Sequence, residues 1–264
     1  MARWILLLLL LLSIAGCGGG AYNIPPEEYQ RQVQTLGVLP LMFDEGSVIR
    51  HPQREEIIRL VRRANTDKAV RLIERLREQK LHFDVRPVEG DPRRFFRRLG
   101  VTGTLHGKGA ERHRVYAFDP ESVRELANRE VADALLVVIE YGAVRQERRW
   151  DRLHLNYLKT DYNSLLSSAA IVLPTGEIVW EYRMPPGEVF LPLQYPDFDE
   201  AHYNFAEKVR TKFISVPGLE RRLTQKESGL FDRRAYSPVY RELFDRILKA
   251  LKPKNSLIRP ASDS

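Results

Sequence analysis

The sequence predicts an α/β (α+β) protein: a mixed sheet of about five strands with helices packed on it, followed by a helical C-terminal extension. Three observations carry that reading. Runs with the two-residue period of a strand alternate with runs at helical spacing through residues 35–190. Ala132-Asp133-Ala134-Leu135-Leu136-Val137-Val138-Ile139-Glu140-Tyr141 has an unbroken apolar centre, as a strand covered on both faces does, and so belongs in the middle of the sheet. Two β-branched runs, Ser164 to Leu173 and Glu177 to Tyr182, flank Pro174-Thr175-Gly176, a hairpin turn whose glycine supplies positive φ.

The remaining elements follow in chain order. Thr35 to Leu41 is a short apolar run that reads as the first strand. Arg54 to Arg63 carries Ile57, Ile58 and Val61 in helical rhythm, and a second helix follows Asn65-Thr66-Asp67 through Ala69, Val70, Leu72, Ile73 and Leu76. His82 to Val88 alternates like a half-buried strand. Asp91-Pro92 and Asp119-Pro120 each pair a capping carboxylate with proline in a helical first turn, and a long insertion, Leu99 to Phe118, lies between those two helices. The later strands are joined by short connections, which makes them antiparallel. The tail reads as helical from Asp199 to Ile214 and again from Ser237-Pro238 through Leu251, with Lys249, Lys252 and Lys254 complementing the C-terminal dipole.

The N-terminus carries the most specific signal. Arg3 and Trp4 precede the apolar run Ile5 to Leu12, which is well short of the ~20 residues of a spanning helix. The run closes on small residues, the layout of a secretory signal. Ile14-Ala15-Gly16-Cys17 resembles the lipobox of bacterial lipoproteins. That resemblance implies that Cys17 receives a diacylglyceryl group, becomes the first mature residue and is acylated (palmitate) on its amine, since two or more chains hold a protein stably in a membrane. Cys17 is the only cysteine, so the lipidated protein carries neither a free thiol nor a disulfide. Gly18 follows where inner-membrane retention signals place Asp, which points to the periplasmic face of the outer membrane. The organisation expected is 1–16 signal peptide, 17–34 lipidated N-terminus and flexible tether, 35–190 α/β domain, and 191–264 proline-aromatic segment with C-terminal helices.

Lys and Arg total 42 against 35 Asp and Glu. The basic residues lie along helices rather than interleaved with aromatics, which argues against nucleic acid as a partner and for a solvated basic surface with mild attraction to anionic membrane.

Leu36-Gly37-Val38-Leu39-Pro40, Ala132-Asp133-Ala134-Leu135-Leu136-Val137 and Leu173-Pro174-Thr175-Gly176-Glu177-Ile178-Val179-Trp180 resemble the signature stretches of envelope lipoproteins with a TolB N-terminal-like or CsgG-like domain, over roughly residues 35–185. The resemblance implies a periplasmic domain that assembles with envelope proteins, as a homo-oligomer in some relatives, without catalysis. The insertion Leu99 to Phe118 and the extension after Pro192 depart from that pattern.

No residue pattern requires a catalytic group, a metal or a cofactor. Gly103-Thr104-Leu105-His106-Gly107-Lys108-Gly109 has three residues where a Walker A loop has four, with Gly109 after the lysine, and reads as a mobile surface loop. The six histidines, His51, His82, His106, His113, His154 and His202, include no helical pair. The competing classes are an envelope enzyme, such as a metal-dependent hydrolase using His106, His113, Asp197, Asp199 and Glu200, and a structural lipoprotein binding peptidoglycan. Ser167 and Ser168 lack a nucleophile elbow and read as small residues packed under helices. The candidate partner-binding surface is aromatic: Trp180, Tyr182, Phe190, Tyr195, Phe198 and Tyr203, among Pro185, Pro186, Pro192 and Pro196. The helix Val239 to Leu251 is expected to pack on its own domain, with a partner subunit or the membrane as the alternative.

Overall fold

The structure is a computed structural model and describes residues 20–199, 209–225 and 237–253. Cys17, Tyr203, Glu200 and His202 therefore lie outside the described residues. The chain opens with strand β1 (Gly20–Tyr22), helix α1 (Pro26–Gln32) and strands β2 (Thr35–Val38) and β3 (Met42–Asp44). Helices α2 (Arg54–Asn65) and α3 (Lys68–Gln79) lead to β4 (Asp84–Pro87) and α4 (Pro92–Arg98). Strands β5 (Thr102–His106) and β6 (His113–Ala117), helix α5 (Pro120–Glu130), and β7 (Ala134–Trp150), β8 (Tyr157–Val172) and β9 (Ile178–Arg183) follow. The chain continues with β10 (Leu191–Pro192), β11 (Gln194–Asp197), β12 (Arg210–Phe213), α6 (Val216–Thr224) and α7 (Pro238–Leu251).

The α/β architecture holds, with a larger sheet than expected. Eight strands form it, in the order β1-β9-β8-β7-β2-β4, with β3 beside β7 and β10 beside β8. The parallel group β4-β2-β7 is continued antiparallel through β8 and β9. As the unbroken apolar run requires, β7 is central, and Ala134 to Ile139 are all buried.

The two sheet faces are covered differently. Glu140 faces Asn65 of α2, whereas Tyr141 meets Tyr116 of β6 edge to face. Consecutive strand residues point to opposite faces, so α2 and α7 cover one side and the β5–β6 hairpin the other. The right-handed crossover β2-α2-α3-β4 puts α3 with α2, and the return crossover to β7 puts α5 on the hairpin side.

Local chemistry explains the helix starts. Asp91 and Asp119 accept from the backbone N–H groups of Arg94 and Ser122, with proline in each first turn. Ser237 also precedes a proline, but its hydroxyl donates instead to the Arg222 carbonyl, joining α6 to α7. Asp133 closes the bottom of the sheet by accepting from Gln34 N and Thr35 N at 3.0 and 2.7 Å.

Three expectations are corrected. The tether is not flexible throughout 17–34, because Gly20–Tyr22 pairs with β9 and Pro26–Gln32 is helical. Gly103 to Gly109 is not a mobile loop: within the Leu99 to Phe118 insertion, Thr102–His106 pairs antiparallel with His113–Ala117. Arg210–Phe213 is a strand paired with β11 rather than part of a helix. The last helix packs on its own domain as expected, with Tyr240, Leu243, Phe244, Ile247, Leu248 and Leu251 in the main core.

Gly142 marks the tightest approach in the sheet. Its N–H donates to Ser47 Oγ at 2.7 Å, and a Cβ there would lie 2.5 Å from the Val48 carbonyl oxygen. Gly142→Ala is expected to destabilise the fold by about 1–3 kcal/mol through overpacking, read as a lower urea midpoint with an unchanged slope.

Candidate functional site

Three arrangements stand out, and all are set by β7. The first is an arm. Strands β7 and β8 stay paired from Leu135↔Val172 to Trp150↔Tyr157, whereas β3 leaves β7 at Tyr141 and β10 leaves β8 at Ser164. The distal arm is therefore a two-stranded ribbon among the described residues. Its tip is ordered by Asp151, whose carboxylate accepts from Leu155 N, Asn156 N and Asn156 Nδ2 at 2.9 to 3.1 Å. On that frame Trp150, Leu153, Leu155 and Tyr157 are exposed by 43, 76, 73 and 49%. Trp150 and Tyr157 pack with centroids 4.9 Å apart, and the Arg148 guanidinium lies 4.6 Å from the Tyr157 ring. Exposed Arg148, Arg152 and Lys159 add positive charge.

At the base of the arm lies a clamp. Arg145 is buried and donates through Nε to the Arg112 carbonyl. Its two terminal nitrogens donate to the carbonyls of Met184, Pro185 and Glu188. One guanidinium thus ties the β5–β6 turn to the loop after β9. Burial pushes its pKa down, with Glu147 among the charges opposing the shift.

The third arrangement is a buried polar chain. Tyr240 of α7 donates to Asn65 Oδ1 at 2.5 Å, and Asn65 Nδ2 donates to Glu140 Oε2 at 2.9 Å. Desolvation raises the Glu140 pKa to about 8, against the Asn65 hydrogen bond and the Lys68 charge. Lys68 Nζ also lies 5.2 Å from the Tyr240 ring centroid. Ser167, opposite Glu140 in the ladder, is fully buried beside it, as a small residue under helices should be.

A cleft of about 770 Å³ opens where the carboxyl ends of β2 and β4 meet α2 and α3, the usual ligand position in an open α/β sheet. Its floor includes Val38, Leu41 and Ile73. Arg59, Arg62, Arg63 and Arg93 at its rim are matched by Glu45, Asp67, Glu89 and Asp91, so its charge selects no ligand class.

The structure divides the six aromatic residues taken as a partner surface. Trp180, Tyr182 and Phe190 are core side chains, exposed by no more than 4%, and cannot present a docking face. Trp180 Nε1 donates to the Ala250 carbonyl beneath α7. Tyr195 on β11 is 43% exposed and Phe198 is half-buried. His106 and His113 do come together across the hairpin, with ring centroids 6.1 Å apart, and each also hydrogen-bonds within the hairpin, to Thr104 Oγ1 and the Glu111 carbonyl. Asp197 pairs with Lys212 on the neighbouring strand. Among the described residues no three His, Cys, Asp or Glu side chains converge as metal ligands. The exposed residues that sequence reasoning missed are Trp150, Leu153, Leu155 and Tyr157. Their available signal was Asp151-Arg152-Leu153-His154-Leu155-Asn156, a polar turn carrying two leucines between strand-like runs.

No family model matches this chain, and no curated protein does. Among solved structures, a dodecamer of a PelC variant from Paraburkholderia phytofirmans is similar to it at TM-score 0.31 and 14% identity, covering 83% of this chain and 88% of that one. A likeness at that level carries no inference about activity or assembly.

Proposed function

We propose that this protein is a lipid-anchored, non-catalytic binding or assembly component of a cell-envelope complex for secretion or surface-structure assembly. It is held through lipid on Cys17 at the periplasmic face of the outer membrane. The observation that carries the binding role is the arm tip. Two leucines, a tryptophan and a tyrosine are held out on a ribbon whose turn is fixed by Asp151, which is how a recognition element keeps its ordering cost low. Aromatic residues ringed by arginine are the composition of interface anchors. The lipobox supplies the placement, and envelope proteins or further copies of the chain are the partners.

The test is purification of the lipidated protein from its own membranes in mild detergent, with mass spectrometry of what accompanies it. A defined set of envelope proteins or a homo-oligomer is expected. Trp150→Ala with Leu153→Ser is expected to weaken that association at least about tenfold, since each buried anchor contributes on the order of 2 kcal/mol, while leaving thermal stability unchanged. A solitary monomer from both forms would sink the assignment.

A further inference from the structure

The sheet edge where β1 enters lies beside the β5–β6 hairpin. Three peptide steps separate Cys17 from Gly20, the first residue of β1. Those steps span at most about 11 Å even when fully extended. Gly20 pairs with Tyr182, Tyr182 with Ala169, and Ala169 with Val138, so the chain enters the sheet at the level of Val138. It enters from the side toward which β7 runs, because β1 is antiparallel to β9, β9 to β8, and β8 to β7. On that side the β5–β6 turn and, further out, the β7–β8 arm both reach beyond the leash. Arg145 holds the Arg112 carbonyl, placing the turn seven residues along β7 from Val138, or about 23 Å at strand spacing.

A lipid on Cys17 therefore lies at or short of the level of that turn. The turn is joined laterally to the anchor edge: Arg183, next to Tyr182, has Nη1 3.4 Å from His113 Nε2, and His113 pairs with His106. Its exposed side chains include Leu105, 54% exposed, with His106, Lys108 and Glu111; Arg112 and the 41% exposed Arg183 lie beside them. The acids nearby are Glu111 and Glu181, the latter paired with Arg183.

We propose that this turn, with Leu105 at its surface and Lys108, Arg112 and Arg183 around it, lies on the headgroups of an anionic phospholipid bilayer when Cys17 is acylated. The proposal rests on the lipid-anchor reading. An apolar side chain among cations is suited to the headgroup boundary, and each basic residue there adds to the attraction toward an anionic leaflet. Lys80, which caps the end of helix α3 just before β4, lies at the opposite end of the parallel strands and faces away from the bilayer.

The natural chain has one cysteine, which the lipid would occupy, so a second introduced cysteine can be labelled alone. Full-length protein carrying Leu105→Cys, Lys80→Cys or Leu153→Cys is labelled with a fluorophore and reconstituted into phosphatidylcholine vesicles containing a headgroup-level nitroxide quencher, with and without phosphatidylglycerol. The Leu105→Cys label is expected to lose most of its emission, more so with phosphatidylglycerol, and the Lys80→Cys label to keep its own. Unquenched Leu105→Cys overturns the proposal, as does quenching at Leu153→Cys without quenching at Leu105→Cys, which would give the bilayer to the arm. Mass spectrometry of the N-terminal peptide separates the two levels. An unmodified Cys17 removes the anchor and the proposal together, whereas an acylated Cys17 with an unquenched Leu105→Cys removes the proposal alone.

Discussion

Arg145→Met is expected to cost about 3–5 kcal/mol of stability, the largest effect of any polar substitution in this protein. The methionine fills much of the same volume but leaves the carbonyls of Arg112, Met184, Pro185 and Glu188 without the donors that the guanidinium supplies. A hydrogen bond from a charged donor contributes about 1.5–3 kcal/mol, and stranding buried carbonyls adds their desolvation cost. Arg145→Lys keeps the charge but not the planar fork, and is expected to recover less than half of the loss. Urea denaturation gives the magnitude, and limited proteolysis gives the place. Cleavage should begin between Gly107 and Arg112 and between Pro185 and Glu188 while the rest of the sheet remains protected. An unchanged midpoint with no new cleavage would show that Arg145 is not the clamp.

The Glu140 carboxyl is expected to lower stability progressively as pH rises from about 5 to about 8, a contribution that Glu140→Gln should remove. The carboxyl titrates near 4.5 when solvated and near 8 when folded, because burial disfavours its charged form. Between those values the unfolded chain has released its proton and the folded chain keeps it, so raising the pH favours unfolding. Glutamine keeps an oxygen to accept from Asn65 Nδ2 and carries no charge, so the variant is expected to exceed the natural protein by about 4 kcal/mol at pH 8 and to come within about 1 kcal/mol of it near pH 5. His82 sets the opposite limb. Burial lowers its pKa to about 4, so stability is lost as pH falls from 6.5 toward that value. Thermal melts of both proteins across pH 4–9 decide the matter; parallel curves would exclude Glu140 as the titrating group.

Much of the sheet was legible because its strands carry their burial in their composition. The unbroken apolar run placed β7 at the centre, and the turn Pro174-Thr175-Gly176 gave the β8–β9 hairpin, with Gly176 at φ 84°. Asp91 and Asp119 announced their helices by side-chain chemistry that acts within one turn. What stayed hidden depends on partners distant in sequence. Gly20-Ala21-Tyr22 has nothing strand-like in it and becomes a strand only because β9 offers an unpaired edge. Arg145 looks like one basic residue among several at the hydrophilic end of β7, and only the fold brings four carbonyls around it. The aromatic candidates failed for a related reason. Trp180 and Tyr182 alternate with polar neighbours as a half-exposed strand does, but their face of the sheet is roofed by α7, contributed from the far end of the chain.

The pairing of β1 with β9 also sets an order of events. Residues 20–22 can join the sheet only after residues 178–183 have been made and folded against β8. Until then residues 20–22 have no edge to pair with. Closure of that one short strand draws the slack in to three peptide steps. Completion of the fold is thus itself the event that shortens the chain's reach, so that Cys17 can lie no more than about 11 Å from the edge of the finished sheet.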